Sequence, residues 1–514
     1  MLRPWTDHLD EDDPARSDPS DLVAAGTLVA TWARRWAADP DAPLWFEDGR
    51  SWSAGEFAEV TERAAGRWRA AGLAPGDRVV WSTGSSVDAL AAHVGALRAG
   101  LVVVPVNTAY GPREMEHIVG DVAPAAAVVE RDDQAEWVRR AAPAGVVVTG
   151  PGLALPDGDP GPLDQAGPDD PALICFTSGT TGLPKGAVLR HRNLLASVEA
   201  VRRAWRWTAE DRLVHALPVF HAHGLVVGAY GTMAAGASAV LLPGFDDGAV
   251  AAAARDRDAT LFFGVPTMYH RLAVSGGATA LSGLRLCVSG SAPLPAALHA
   301  EVSAAVGRPV LERYGMTETL MNTSTPYVGE RRAGTVGFPL PGVEVSLADD
   351  GEILLRGPNV TDGYWRRPAA TADSFVADPA GGPAWFATGD LGEAVDGLLV
   401  IRGRARELII SGGFNVYPAE VEAVLTAHPA VVEVAVTGTP SDEWGEVVTA
   451  WVVSDGPPPS VEDLRTFCDG ALAPFKQPRL VRAVDALPRN ALGKVVRADL
   501  GSRRADPGSR PHDR

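Results

Sequence analysis

"RVVWSTGSSVDALAAHVGALRAGLVVVPV", residues 78–106, decides the fold class. "RVVWST" reads as a strand, "VDALAAHVGALRA" as an Ala-rich helix, Gly100 as the helix stop and "LVVVPV" as a second strand. That is a strand–helix–strand unit. The apolar runs "AAAVV" (125–129), "ALICF" (172–176), "SAVLL" (238–242), "TLFFGV" (260–265) and "LRLCVSG" (284–290) alternate in the same way with Ala-rich helical stretches. Near-continuous apolar strands separated by helices predict largely parallel sheets covered by helices, an α/β fold.

Downstream the pattern changes. Between Gly334 and Gly403 short strands with Gly, Pro and Asp turns, as in "VEVSLADDGEILLRGP" and "DGLLVIRGR", predict a small β-rich subdomain. After Arg406 come a helix over 419–427, strands "VVEVAVTG" and "EVVTAWVV", a "DGPPPS" loop, a helix over 461–472 and a strand over 479–484. These predict a separate α+β domain of roughly a hundred residues. The expected division is a large domain over 23–404 and a small mobile one over 405–502, hinged near Arg404–Arg406. Residues 1–22, acidic and Pro-rich, and the tail 503–514 are expected to be disordered, since neither can bury much apolar surface.

The 514 residues are 46% hydrophobic and 21% charged, with a net charge of −18. Such a charge repels nucleic acid and anionic membranes at long range, so any phosphate site must be local. No apolar stretch approaches twenty residues and the N-terminus lacks the regions of a signal peptide, which predicts a cytoplasmic protein without membrane insertion. Cys175, Cys287 and Cys468 are far apart in apolar contexts and match no metal spacing, so they read as reduced core thiols.

"FTSGTTGLPKG", residues 176–186, sets four Ser/Thr hydroxyls, three glycines and one lysine after a buried-looking run. Glycines let a backbone approach a ligand closely, and hydroxyls and free N–H groups donate to anionic oxygens, so the chemistry suits a polyphosphate. A Walker A loop is excluded: Lys185 follows "GLP", and the only Gly-Lys pair, Gly493–Lys494, is followed by Val. Further along stand "RYGMTET" (313–319), "TGDLG" (388–392), "GRARELIISGGFNVYPAEVE" (403–422) and "PRNALGK" (488–494). Five motifs in this order, spread over roughly residues 25–500, resemble the adenylate-forming superfamily of acyl-CoA synthetases, luciferases and peptide adenylation domains.

The resemblance implies ATP, Mg²⁺ and coenzyme A as cofactors or co-substrates, and it implies roles. Thr177, Ser178, Gly179, Thr180, Thr181, Gly182 and Lys185 would wrap the β,γ-phosphates. From the second motif Tyr314 would stack on adenine, Thr317 would touch the α-phosphate and Glu318, with Thr181, would hold Mg²⁺; Glu312, Arg313, Gly315 and Met316 flank them in the nucleotide site. Gly290, Ser291 and Ala292 of "VSGSAPL" would let backbone approach the adenine edge and the acyl pocket. Asp390 would accept the ribose hydroxyls, and Arg404 is a further candidate for the nucleotide site. Lys494 would be the adenylation catalyst, acting with Lys185, Thr317 and Glu318. For thioester formation the small domain would swing about a hinge at Arg406, where Asp or Lys is usual, so that Ser411, Gly412, Gly413 and Phe414 line a pantetheine tunnel.

The acid should lie between "PVFHAHG" (218–224), "GVPTMYHRL" (264–272), "SGSAP" and "TLMNTS" (319–324). These stretches, with "AWRWTAEDRLVHALP" and "ERRAGTVGFPLPGVEV", look most like malonyl-CoA and methylmalonyl-CoA synthetases, which implies a short dicarboxylic acid. Its distal carboxylate must be paired, because burying a lone charge is prohibitive. Candidate partners are His223, Arg271, Arg285 and Asn322, with His221, Ser289 and Met321 completing the pocket. A metal on His221 and His223 is a weak reading without a third ligand. Gly244 departs from relatives that carry Lys or Arg before this Phe, which keeps a small monocarboxylic or aryl acid as the alternative substrate. A carrier-protein thiol is the alternative acceptor, and a monomer or homodimer is expected.

Overall fold

The computed structural model describes residues 1–177, 184–411, 414–441, 444–489 and 494–502. The opening stretch folds as its pattern requires: strand Arg78–Ser82, helix Val87–Arg98 and strand Val102–Pro105, with Arg78 opposite Val102 and Val80 opposite Val104 in parallel register. Ser86 caps the helix by accepting from the Ala89 N–H at 3.1 Å. The helix ends before Gly100, whose φ of +82° lies where glycine is favoured. Gly95 lets this helix press on helix Ala54–Ala70: a Cβ there would stand 2.6 Å from the Cβ of Ala64.

Two large sheets result. The six-stranded sheet runs in the order Val147–Thr149, Ala126–Val129, Arg78–Ser82, Val102–Pro105, Pro171–Thr177, Lys185–Arg190, and only its last pair is antiparallel. In the nine-stranded sheet the order is Phe338–Pro339, Leu320–Ser324, Leu311–Met316, Leu286–Ser289, Leu261–Gly264, Arg212–His215, Ser238–Leu241, Pro43–Glu47, Arg50–Ser53. Its central strands are parallel, and hairpins close both edges. Parallel central strands place the ends at His215, Gly264, Ser289 and Met316 along one rim, where α/β sheets carry their ligands.

The chain divides into two compact units. One comprises Met1–Ser346, Leu354–Ala387 and Ala394–Val400; the other takes Leu347–Ile353, Thr388–Glu393 and the chain from Ile401 onward. Strands Glu344–Leu347, Glu352–Arg356, Trp385–Val395, Phe375–Val376 and Leu398–Arg404 form the β-rich sheet expected from the turn-dense region. The second unit has its own core, in which Ile409, Val416, Val421, Leu425, Val436, Val448, Leu464 and Cys468 are buried. Its second helix ends at Cys468, short of the expected 472, because the chain turns through Gly470 at φ +80°.

Residues 1–22 depart from the expected disorder. They form three short 3₁₀ turns, Trp5–His8, Pro14–Arg16 and Pro19–Val23, and bury Leu9, Ala15 and Leu22. Their acidic side chains find partners on a distant helix and the turn after it: Asp13 and Asp21 pair with Arg203, and Asp10 with Arg206. His8 stacks on Phe338 at 3.9 Å. The tail 503–514 lies outside the described residues. The three cysteines are free and buried, and burial pushes the thiols of Cys175 and Cys287 up to about 12.

Candidate functional site

Thr177 and Lys185 face each other as the last described pair of the antiparallel hairpin Pro171–Thr177/Lys185–Arg190. Ser178, Gly179, Thr180, Thr181 and Gly182 lie outside the described residues, but the chain on both sides of them is pinned. Gly186 serves this pinning: a Cβ there would come within 2.5 Å of Ile174 Cγ2. Against the hairpin runs the segment 361–367, with the Trp365 N–H donating to the Gly186 carbonyl at 2.7 Å and the Val188 N–H to Gly363 at 3.0 Å.

That pairing brings in a residue the sequence did not single out. Tyr364 lies with its ring centroid 5.2 Å from the Lys185 ammonium. Its hydroxyl donates to Glu318 Oε1 at 3.1 Å. Glu318 is 6% exposed, and no cation stands within ion-pair distance of it among the described residues. A buried carboxylate held by one hydroxyl, that of the tyrosine beside Lys185, is a hard oxygen donor of the kind that fits Mg²⁺. Tyr364 sits in "TDGYWRR", where nothing in the local pattern separates it from any loop aromatic.

"RYGMTET" folds as the tip of the hairpin Leu311–Met316/Leu320–Ser324. Tyr314, Gly315, Met316 and Thr317 are half-buried along an otherwise buried hairpin. Gly315 is required by the register shift there, since a Cβ would stand 2.2 Å from the Leu320 carbonyl oxygen. Glu312, two residues before Tyr314, is buried and accepts from the Gly334 N–H at 3.2 Å. Burial pushes its pKa up to about 7, against the lowering effect of the Gly334 and Leu294 N–H groups.

Arg313, expected with the nucleotide residues, turns to the Gly290–Ser291 loop. Its guanidinium lies over Gly290, where a Cβ would be 2.3 Å from Nε, and donates to Ser291 Oγ at 3.2 Å. Gly290 thus makes room for this arginine. Arg313 is 3% exposed, its Nε has no hydrogen-bond partner, and no described carboxylate pairs with it. Burial lowers its pKa to about 9. Ser291 holds a φ of +71°, uncommon for a residue with a Cβ, and its Oγ is 3.4 Å from His223 Nδ1. His223 is 4% exposed, and its Nε2 also lacks a partner. Burial, then the charges of Arg313, His221 and His215, hold it well below the ordinary histidine range, so it is neutral. Ser289 is buried beside them with an unpartnered Oγ, and Ala292 is exposed.

Two other candidates for the distal carboxylate, Arg285 and Arg271, are engaged elsewhere. Arg285 pairs through Nε and Nη2 with the buried Asp211, at 2.6 Å each, and donates to the carbonyls of Trp205 and Arg206. Arg271, 55% exposed in its side chain, pairs with Asp247 at 3.1 Å and lies over Phe245. Asn322 is buried with its Oδ1 accepting from Asn359 Nδ2 at 3.3 Å, while its own Nδ2 has no partner and keeps its donors. Met321 is buried against Gly315, and His221 is half-buried near His223. No group of metal-ligating side chains forms among the described residues.

In the second unit Asp390 is buried, with Arg404 Nε at 2.6 Å and its own N–H on Thr388 Oγ1 at 3.0 Å. Gly403, just before Arg404, takes φ +148°, open to glycine but rare for other residues. Arg406 is exposed in the 3₁₀ turn Ala405–Glu407. Ser411 is fully buried, while Phe414 is 56% exposed and stacks on Phe475 at 4.6 Å. Gly412 and Gly413 lie outside the described residues. Lys494 is exposed, next to the bridge between Val495 and Arg489.

Residues 32–365 match the family model of AMP-binding enzymes, and 420–494 match the AMP-binding enzyme C-terminal domain. The chain is 35% identical to a feruloyl-CoA synthase of Amycolatopsis sp, over 92% of this chain and 99% of the relative. Against the mitochondrial malonate–CoA ligase ACSF3 of Mus musculus identity is 34%, over 82% of this chain and 81% of the relative. The crystal structure of ATP-bound MatB from Rhodopseudomonas palustris superposes with a TM-score of 0.85 at 40% identity, covering 92% of this chain and 98% of that one. A family match over most of the large unit, with relatives this similar along nearly their whole length, makes the chain a member of the AMP-binding enzyme family, the AMP-forming acyl-CoA synthetases.

Proposed function

We propose that the protein joins malonate or methylmalonate to CoA through an acyl-adenylate, releasing AMP and pyrophosphate. The observation that carries this reading is Arg313: a buried guanidinium without a carboxylate among the described residues, beside the unpartnered Nε2 of His223. A cation kept there costs several kcal/mol unless something anionic arrives, and the distal carboxylate of a short dicarboxylic acid meets that need. The similarity to malonate–CoA ligases supports the same choice.

In the first half-reaction the residues of 177–185 bind the β,γ-phosphates, with Lys185 as a point charge. Glu318 and Thr181 would hold Mg²⁺, which offsets phosphate charge when bound. Tyr364 keeps Glu318 oriented. Lys494 stabilises charge developing between the acid's carboxylate and the α-phosphate as pyrophosphate leaves. Tyr314 shelves the adenine and Asp390, fixed by Arg404, takes the ribose hydroxyls. Ser411, Gly412, Gly413 and Phe414 guide the CoA thiol in the second half-reaction.

A monocarboxylic or aryl acid is the second reading, favoured by the feruloyl-CoA synthase similarity and by open space around Gly244. CoA consumption with malonate, methylmalonate, propionate and ferulate separates the two. Preference for malonate that disappears in Arg313→Gln supports the dicarboxylate. Equal or better rates with propionate or ferulate in wild type overturn it.

A further inference from the structure

His223 begins a π-helix, His223–Tyr230, in which carbonyls bond five residues ahead; at its end the Gly231 N–H reaches the Val226 carbonyl. Such a helix is wider than an α-helix and rare, and turns of this kind recur at functional sites. His215 packs against this one. This histidine ends strand Arg212–His215, is 2% exposed, and has Nε2 at 2.8 Å from the Gly224 carbonyl oxygen. A carbonyl only accepts, so Nε2 carries a proton, and burial, which lowers the ring's pKa, leaves the unpartnered Nδ1 bare. The same ring fills the place a side chain at Gly228 would need, since a Cβ there would be 2.5 Å from Nε2. Gly224 is pressed from its other side: its Cβ would fall 2.2 Å from the Pro218 carbonyl oxygen. The far end of the helix is fixed independently, by the hydrogen bond between Tyr230 and the buried His93.

We propose that His215 is a positioning residue for acid selection: by holding the Gly224 carbonyl and filling the space over Gly228, it keeps the wide turn open and thereby aims His223 at Ser291 and Arg313. The proposal rests on the reading of His223, Ser291 and Arg313 as the acid pocket. An α-helix advances about 100° per residue, so a turn that lost its extra residue would swing the side chain at 223 away from Ser291. His215 itself touches no reacting atom in this scheme.

The test uses His215→Leu, which keeps bulk without a donor, and His215→Gln, which restores an N–H donor. KM is measured for ATP and for whichever of malonate, methylmalonate, propionate and ferulate the wild type converts fastest. A different best acid would overturn the malonate reading and leave this test intact. His215→Leu should raise KM for the acid about tenfold, the worth of one buried hydrogen bond, and leave KM for ATP within about twofold. His215→Gln should recover most of the loss. In a His223→Ala background His215→Leu should add nothing further. Equal rises in both KM values, no recovery by Gln, or full additivity with His223→Ala would assign His215 to general stability and overturn the proposal. If His215→Leu fails to fold, Gly228→Ala, which crowds the same ring, must give the same split between the two KM values or the proposal falls.

Discussion

Tyr364 donates its hydroxyl to Glu318 Oε1 across 3.1 Å, although 46 residues separate them in the chain. The contact exists because segment 361–367 pairs with the hairpin Pro171–Thr177/Lys185–Arg190, and it orients the carboxylate proposed to meet Mg²⁺. Tyr364→Phe keeps the ring and removes the bond. A hydrogen bond to a charged group is worth about 1.5–3 kcal/mol, so adenylate formation should slow tenfold or more, with a higher Mg²⁺ requirement. Pyrophosphate exchange titrated with Mg²⁺ checks this, and an unchanged midpoint would remove Tyr364 from the site.

Gly290→Ala places a Cβ where Arg313 Nε now lies, 2.3 Å away, and the guanidinium must move. Catalytic efficiency with malonate should fall on the order of tenfold to a hundredfold, and with propionate much less, because propionate has no second carboxylate to strand. Parallel losses on both acids would place the effect of Gly290 in folding and not in acid recognition.

Glu312 carries a pH signature. Burial, as the leading cause, pushes its carboxyl from the ordinary 4.5 up to about 7 in the folded chain. A raised folded pKa means that the neutral form fits the fold. The group's favourable contribution is therefore complete below about 4.5, declines as pH rises between 4.5 and 7, and is gone above that; a shift of this size is worth roughly 3 kcal/mol. Glu312→Gln, neutral throughout, should be more stable than wild type at pH 8 and lose that advantage at pH 5. Thermal unfolding of both proteins at the two pH values decides the matter.

Lys494→Ala should suppress formation of the acyl-adenylate far more than transfer of a supplied acyl-adenylate to CoA, since the lysine is proposed to act only while pyrophosphate leaves. Comparable losses in the two half-reactions would contradict that division of labour.

The sheets were legible because buried parallel strands are written as unbroken apolar runs, from "RVVWS" to "LCVS", and each run became a strand close to its expected bounds. Charged side chains were not legible in the same way. Arg285 and Arg313 look alike in a sequence, yet the first is matched by Asp211, 74 residues away, and the second by no described carboxylate. The N-terminal 22 residues were misread for a related reason: their acids read as solvated charge, while the partners Arg203 and Arg206 stand 182 to 196 residues downstream. Tyr364 and His215 depend on tertiary pairing alone. Gly290 was read as backbone room for a ligand, and the structure fills that room with Arg313.

The buried guanidinium of Arg313 sits inside a chain of net charge −18, and on the proposed dicarboxylate reading the two would act on an arriving dianion over different ranges. The overall field repels it through solvent and is screened beyond about 8 Å at physiological ionic strength, whereas the pocket acts at contact and away from mobile ions. Added salt therefore speeds encounter while scarcely loosening the bound acid. Association and dissociation respond to ionic strength independently, the reverse of a surface salt bridge, where salt slows the one and hastens the other.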